Sequence, residues 1–401
     1  MLEDDSYRAS SQYRYWSYTQ SQLDQIRSET NRLAAQKVHA AFQRARHKNN
    51  DSKNSNSNDD ADAGAETKHE NGSNGKNENE SNESIDTLTI AEEQQIIRWG
   101  CTKITQIAST MDHPPPFAII ATAIQYLRRF YLTNSPMTYH PKQIVVCAFY
   151  LALKAEHYYS SLGKFVAQLR DVSEEDVRAP EFLLMQGLRF MFAVRHPMRG
   201  LEGGVAEIRA RAAEVACLRG RAEAEVKARV DAVGYRARQV LRGAAQMTDV
   251  YFLFTPAQIW LAAVWVVDEV LAADYLEAVV ARIGGGSDAA EDEKEDERDR
   301  FRSRLLSTVK ECARILAEYK SPDEDKGTEK ELRRIGRKLA KCQDPERLDI
   351  VSVAKAKAAE KRDGVDSERE REQKVKKRKM EREKSVKDGE VFGGGLKSIE
   401  S

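Results

Sequence analysis

The fold of this chain is decided by residues 111–169, which read MDHPPPFAIIATAIQYLRRFYLTNSPMTYHPKQIVVCAFYLALKAEHYYSSLGKFVAQL. Apolar residues recur there at spacings of three and four, which is typical of amphipathic helices. Prolines at positions 114–116, 136 and 141 divide the stretch, and a proline in the first turn of a helix is tolerated because its missing N–H would have no partner there. The stretch predicts several short helices packed together, and it contains no candidate nucleophile, metal-binding motif or phosphate-binding loop. We interpret it as a helical module that binds another protein.

The same order of helices recurs after His196-Pro197. Each half shows two amphipathic helices, an apolar helix that opens with a proline, a short helix and a final amphipathic helix. Thr89 and Glu92 form a capping-box pattern at the start of the first half. No run of β-branched residues with a period of two is present. The sequence therefore predicts an all-α fold of two tandem five-helix repeats, with flanking helices at 17–46 and 328–342.

Composition narrows the classes of partner. The chain has 401 residues, with 64 Lys+Arg against 64 Asp+Glu, so no overall electrostatic field steers it to nucleic acid or to a membrane.

Its five cysteines are scattered and never form CxxC, which indicates reduced core thiols. The acidic, polar start MLEDDSYRAS does not read as a secretory signal. The longest apolar run, at 259–271, is interrupted by Asp268 and Glu269 and is too short to span a bilayer.

We expect six segments along the chain. They are an N-terminal segment and helix at 1–46, a disordered acidic and Asn-rich insert at 47–86, a first repeat at 87–196, a second repeat at 197–320 with an acidic loop at 284–299, a C-terminal helix region at 321–355, and a charged, disordered tail at 356–401. The insert and the tail hold too few apolar residues to offset the entropy of ordering. The basic run at 374–379 fits either a nuclear localisation signal or a solvated charged helix.

No residue pattern indicates catalysis. The seven histidines are dispersed, with no HExxH and no Cys/His pair at metal-ligand spacing. Acidic pairs such as Glu92-Glu93 and Glu174-Glu175 lie at predicted helix starts, where the helix dipole explains them. We therefore expect no catalytic residue, no metal and no cofactor, and a chain that is not itself an enzyme.

Two charged residues lie within otherwise apolar helices. Lys154 ends the most apolar helix of the first half, and Glu181 lies near Met185 and Phe190. One interpretation is that both charges are simply solvated. The other is that they form a polar centre in an apolar docking surface, because an isolated buried charge costs several kcal/mol and needs a partner.

Several long segments of the chain resemble the cyclin H family of cyclins. They are YRYWSYTQSQLDQIRSETNR at 13–32, RRFYLTNSPMTYHPKQIVVCAFYLALK at 128–154, RHPMRGLEG at 195–203, TDVYFLFTPAQIWLAAV at 248–264 and EYKSPDEDKGTEKELRRIGRKLAKCQDPE at 318–346. The resemblance implies that the two repeats are cyclin boxes and that the chain is a regulatory subunit of a CDK-activating kinase. It implies three partners, namely a cyclin-dependent kinase, a RING-finger assembly factor and the core of the transcription factor TFIIH. Phosphorylation of the RNA polymerase II C-terminal domain and of other cyclin-dependent kinases would follow, in the nucleus, without direct contact to nucleic acid or membrane.

The resemblance also assigns a kinase-binding face. In cyclins a lysine and a glutamate of the first box meet the kinase, and they match Lys154 and Glu181. Apolar kinase-facing positions match Leu151, Met185, Phe190 and Phe192. The family further implies that the N-terminal helix packs on the second box and that the C-terminal helix flanks it, so that both helices are part of the framework.

The chain departs from the family pattern in two places. Glu156 and its neighbours stand where many cyclins carry a paired acid. The residues Arg98-Trp99-Gly100-Cys101 replace the substrate-docking motif of cell-cycle cyclins, so we do not expect the chain to recruit substrates through arginine-leucine motifs.

Two other interpretations of the chain stay open. One is a nucleic-acid-binding pair of cyclin-like repeats, as in transcription factor IIB. The other is a helical scaffold with no kinase, or a cyclin of another transcriptional kinase, similar to cyclin C.

Overall fold

The computed structural model describes residues 7–55, 85–158, 160–283, 291–320 and 327–343. Regular structure in these residues is entirely helical, which confirms the all-α prediction. The helices are α1 (Ser11–Trp16), α2 (Gln20–Ser55), α3 (Ile90–Ser109), α4 (Phe117–Thr133), α5 (Pro141–Ala155), α6 (Leu162–Ala167), α7 (Glu174–Arg178), α8 (Glu181–Gly187), α9 (Pro197–Ala210), α10 (Glu223–Arg242), α11 (Ala244–Met247), α12 (Val250–Leu253), α13 (Pro256–Val267), α14 (Glu269–Ile283), α15 (Glu291–Glu318) and α16 (Thr328–Cys342).

The first repeat is built around α5. This helix packs against α3, α4, α7 and α8, so its side chains are buried almost all round. Pro141 occupies its first turn, and His140 accepts a hydrogen bond there from the backbone N–H of Lys142. The predicted capping box at the start of α3 is confirmed, with Thr89 and Glu92 bonding each other's backbone N–H groups. Two local signals, a proline and a cap, thus set where the central elements begin.

The second repeat has the same plan around α13. That helix packs against α9, α10, α14 and α15, and its start is closed by a capping box of Thr255 and Gln258. On α9, Gly200 and Gly204 lie one turn apart and face the indole of Trp260. An added Cβ at Gly204 would come within 2.4 Å of that ring. The absence of side chains at these two glycines therefore allows α9 and α13 to approach closely.

Three predicted boundaries differ from the structure. The helix expected to run from about 173 through Phe190 is two short helices, α7 and α8, separated at Ala179-Pro180, and α8 ends at Gly187. Helix α2 continues through residue 55, into the segment assigned to the insert, because extending an existing helix costs little. Helix α15 begins at Glu291, within the expected acidic loop, since acidic residues are favoured at a helix N-terminus. The rest of the insert at 56–84, residues 284–290 and the tail, including 374–379, lie outside the described residues.

The N-terminal helix packs on both repeats, and not on the second alone. Helix α2 lies against α3 and α4 of the first repeat and contacts the second through Arg27, which pairs with Asp249, and through Leu23, which clusters with Phe252. Helix α16 packs on α3, where Arg334 and Lys338 bond the carboxylate of Glu92. The first repeat therefore carries most of the contact with both ends of the described chain.

Candidate functional site

The two predicted charges meet each other at one corner of the first repeat. Lys154 lies in the last turn of α5 and Glu181 in the first turn of α8, and the ammonium donates to the carboxylate. The side chain of Lys154 is 44% exposed and that of Glu181 is 20% exposed. The ammonium also lies 5.4 Å from the centre of the Tyr150 ring. The charges therefore form a partly solvated ion pair, a combination of the two interpretations that the sequence left open.

Two exposed aromatic rings lie beside this ion pair. Phe190 is 55% exposed and Phe182 is 60% exposed, and their ring centroids are 6.2 Å apart. Phe182 was missed by the sequence analysis. Its position next to Glu181, on the side of α8 away from the buried Leu184 and Leu188, is the signal that would have found it. Together the rings form an apolar patch next to two charges.

The main chain at Phe190 has an uncommon conformation. Arg189 and Phe190 follow each other with φ of 54° and 57°, in the left-handed region. Non-glycine residues there cost about 1–2 kcal/mol each. The backbone N–H of Phe190 bonds the carbonyl of Met185 at 2.9 Å, and the guanidinium of Arg189 lies over the buried indole of Trp16. Contacts of α1 and α8 thus hold the turn that presents the Phe190 ring.

The remaining apolar positions are less accessible. Phe192 and Met185 are half-buried, and the Phe192 carbonyl accepts a 2.6 Å hydrogen bond from the hydroxyl of Tyr126. Leu151 is only 4% exposed and belongs to the core around α5. Because α5 is enclosed by four helices, Leu151 is buried in the free chain, and its assignment as a kinase-facing residue stays a prediction.

Glu156 is exposed, but its carboxylate is the first member of a set of hydrogen bonds that links the two repeats. Its carboxylate accepts from the hydroxyl of Thr122 at 2.9 Å, and that hydroxyl lies 2.9 Å from Nε2 of His196. The other ring nitrogen of His196 lies 3.1 Å from the hydroxyl of Tyr251 in the second repeat. Burial, together with the charges of Arg129 and Arg199, lowers the pKa of His196 to about 3. A chain of hydrogen bonds that passes through the uncharged imidazole of His196 therefore begins next to the end of α5 and crosses between the repeats.

The described part of the chain shows no group of three or more His, Cys, Asp or Glu side chains placed to hold a metal ion. Its five cysteines are free thiols, four of them buried. None of the helices described combines the length and the apolar character needed to cross a membrane.

Comparison with known proteins agrees with this geometry. Residues 196–317 match the cyclin C-terminal domain family. The chain is 30% identical over 275 residues to cyclin CCL1 of Saccharomyces cerevisiae, an alignment that covers 69% of this chain and 61% of CCL1. It is 27% identical to Cyclin-H1-1 of Arabidopsis thaliana, with 65% of this chain and 70% of that protein covered. The matched region thus spans about three fifths of the length of CCL1.

A solved structure extends the likeness to three dimensions. The chain is similar to a component of the CAK complex of Chaetomium thermophilum bound to ATP-γ-S, with a TM-score of 0.67 and 28% identity, over 90% of this chain and 96% of that chain. The paired helical repeats and these matches define a cyclin. Within that class, the chain is similar to cyclins of the H family.

Proposed function

We propose that this chain is the regulatory cyclin subunit of a CDK-activating kinase and that it binds and activates a cyclin-dependent kinase. The observation that carries the proposal is the exposed pair of Phe182 and Phe190 beside the Lys154–Glu181 ion pair. Interface centres characteristically combine aromatic anchors with a few polar groups. The similar chain in the CAK complex of C. thermophilum supports this assignment.

Activation follows from differential binding. The core around α5 is enclosed by four helices. A kinase that fits this face best with its regulatory helix turned inward is shifted toward that state, by as much as the affinity of this chain differs between the two states. The inward helix completes the lysine–glutamate pair that positions ATP phosphates in protein kinases. Catalysis would therefore rise without this chain contacting ATP.

The family likeness extends the proposal to further partners. A RING-finger assembly factor and the TFIIH core would complete the complex, with the RNA polymerase II C-terminal domain and other cyclin-dependent kinases as substrates. The complex would act in the nucleus. Activity on a polymerase-tail peptide after reconstitution with candidate kinases would separate this cyclin from a cyclin C-like subunit or a nucleic-acid-binding factor.

The proposal is tested by co-expressing the chain with a kinase of this type. The variant Phe190→Glu places a charge in the patch, and we expect it to abolish co-purification and kinase activity. The matched control is Tyr235→Glu, because Tyr235 is 61% exposed on α10, away from the patch. Both variants should keep the thermal unfolding midpoint of the wild type. Full kinase binding by Phe190→Glu would show that this face is not used.

A further inference from the structure

A second open region lies away from the proposed kinase face. It is a groove of about 2340 Å³ between α3, the end of α15, α16 and the residues that precede α2. Small-molecule sites usually measure about 300–1,000 Å³, so this groove has the size for a polypeptide segment. None of the six residues assigned to the kinase face lines it.

The acidic residues of the groove are already neutralised. Glu311 and Glu318 both pair with Arg314, at 2.7 and 2.6 Å. Glu329 pairs with Arg333 at 2.6 Å, and Glu331 pairs with Arg334 at 2.7 Å. Asp249 is bonded by Arg27 and Arg128. These carboxylates therefore have little free charge to offer to a ligand.

Five basic residues of the groove differ in this respect. Arg98, Lys103, Lys142, Lys320 and Arg337 line it, and among the described residues none of them has a carboxylate within ion-pair distance. The guanidiniums of Arg98 and Arg337 and the ammonium of Lys142 belong to exposed residues. The pKa of His140, which also lines the groove, is lowered by burial and by Lys142, so that its ring is neutral at pH 7. The unpaired charge of the groove is thus positive.

The floor of the groove is apolar. The indole of Trp99 is half-buried, with the ammonium of Lys103 5.8 Å from its centre. Leu253, Ile315 and Leu332 are likewise half-buried lining residues. An apolar side chain of a ligand could remove this surface from water while neighbouring carboxylates reach the basic rim.

We propose that this groove docks an acidic peptide segment of a partner protein. The unpaired cations bind its carboxylates, and Trp99 with its apolar neighbours receives an aliphatic or aromatic side chain between them. A nucleic acid fits the groove less well, because the half-buried aliphatic side chains of Leu253, Ile315 and Leu332 match an apolar side chain of a peptide and not a sugar or a phosphate. The site is separate from kinase binding, so either can be lost while the other remains.

The test uses the full chain and a fluorescein-labelled peptide, DEELFDEDLE, followed by fluorescence anisotropy. The amide analogue NQQLFNQNLQ keeps the apolar residues and removes the charge. We expect the acidic peptide to bind at least 10-fold more tightly than the amide analogue. The double variant Arg98→Glu/Arg337→Glu should weaken binding of the acidic peptide at least 10-fold, and Trp99→Ala should weaken binding of both peptides.

The matched control is Lys227→Glu/Arg236→Glu, which makes the same charge change at exposed positions of α10. It should leave peptide affinity within twofold of wild type, and both double variants should co-purify with the kinase. The proposal is overturned if the two double variants behave alike, or if the amide analogue binds as well as the acidic peptide. It is also overturned if a single-stranded oligonucleotide binds in the groove more tightly than the peptide, or if deleting the chain's own acidic segment 56–84 is required before the peptide binds.

Discussion

Arg128, on α4 of the first repeat, places its guanidinium 2.6 Å from the carboxylate of Asp249, just before α12 of the second repeat. The same carboxylate receives two hydrogen bonds from Arg27 of α2, at 2.7 and 2.8 Å. Burial alone would raise the pKa of Asp249, but the Arg27 hydrogen bonds and the charge of Arg128 outweigh it and lower the pKa. One aspartate thus joins the N-terminal helix and both repeats.

Removing this carboxylate should strongly destabilise the protein. Asp249→Ala leaves the guanidinium of Arg128 buried without its charge partner, and breaking such a pair costs about 3–5 kcal/mol. The free energy of unfolding in urea measures the effect. The control is Asp231→Ala, because its pair with Arg209 is exposed on both sides, at 48% and 42%, and such pairs contribute about 0–1 kcal/mol. Equal losses in the two variants would contradict the role assigned to Asp249.

Lys154→Ala should separate stability from binding. In the free chain the Lys154–Glu181 pair is partly solvated, so its loss should lower the free energy of unfolding by no more than about 1 kcal/mol. Against the kinase, the variant leaves Glu181 to be covered without a partner, and affinity should fall by about 1–3 kcal/mol. Calorimetric titration with the kinase measures this loss. An unchanged affinity would remove the ion pair from the interface.

Leu151→Ala should act on the core instead. A buried leucine truncated to alanine typically costs about 2–5 kcal/mol, and Leu151 is 4% exposed. Any loss of kinase binding in this variant should therefore accompany a lower unfolding midpoint. Leu33→Ala, at a position that is 43% exposed on α2, provides the comparison and should change stability little. A fully stable Leu151→Ala that fails to bind would instead place Leu151 at the interface.

Alanine substitutions at two neighbouring glycines of α9 should change the stability of the protein in opposite directions. A Cβ at Gly204 would meet ring atoms of Trp260 at 2.4 and 2.5 Å, and overpacking of this kind costs about 1–3 kcal/mol. A Cβ at Gly203 would meet nothing within 4 Å, so alanine should stabilise the helix there by about 0.5–1 kcal/mol. Thermal unfolding of the two variants gives the sign of each effect. Stabilisation by both would mean that α9 and α13 can separate without cost.

The contact of α16 with α3 should weaken in acid. Burial would raise the pKa of Glu92, but the Thr89 backbone N–H, Lys338 and Arg334 outweigh burial and lower it to about 2 from 4.5. Because the folded pKa lies below the unfolded one, the stabilisation is complete above pH 4.5 and disappears as the pH falls toward 2.

Glu92→Gln tests this pH dependence. The difference in unfolding free energy between wild type and variant should be largest near pH 7 and should shrink steadily below pH 4.5. Glu202→Gln, which alters an exposed carboxylate paired with Arg238, serves as the control. A difference that stays constant from pH 7 to pH 3 would argue against an ionised Glu92 in this contact.

Much of the fold could be predicted because its signals are local. Pro141 and Pro256 each begin a central helix, and the caps at Thr89 and Thr255 supply the hydrogen bonds that start α3 and α13. Apolar residues all round α5 correctly predicted a buried central helix. These features depend on neighbours within four residues, which a single sequence displays directly.

The candidate site was less predictable because it depends on distant contacts. Lys154 and Glu181 are 27 residues apart, and no periodicity indicates that their side chains bond each other. Helix α8 ends at Gly187, but the left-handed residues that follow it are Arg189 and Phe190 and not glycine, so the continued apolar pattern suggested a helix through Phe190. Leu151 was assigned by likeness to the family, and only the packing of four helices around α5 shows that it is buried.

The left-handed turn at Phe190 has an evolutionary consequence. Glycine or asparagine would adopt this backbone at lower cost, and the exposed ring contributes little to the core, so neutral drift would favour small residues at this position. If orthologues keep an aromatic residue at this position, selection for a role other than folding maintains it. An alignment of orthologues, read at this single column, would reveal that selection.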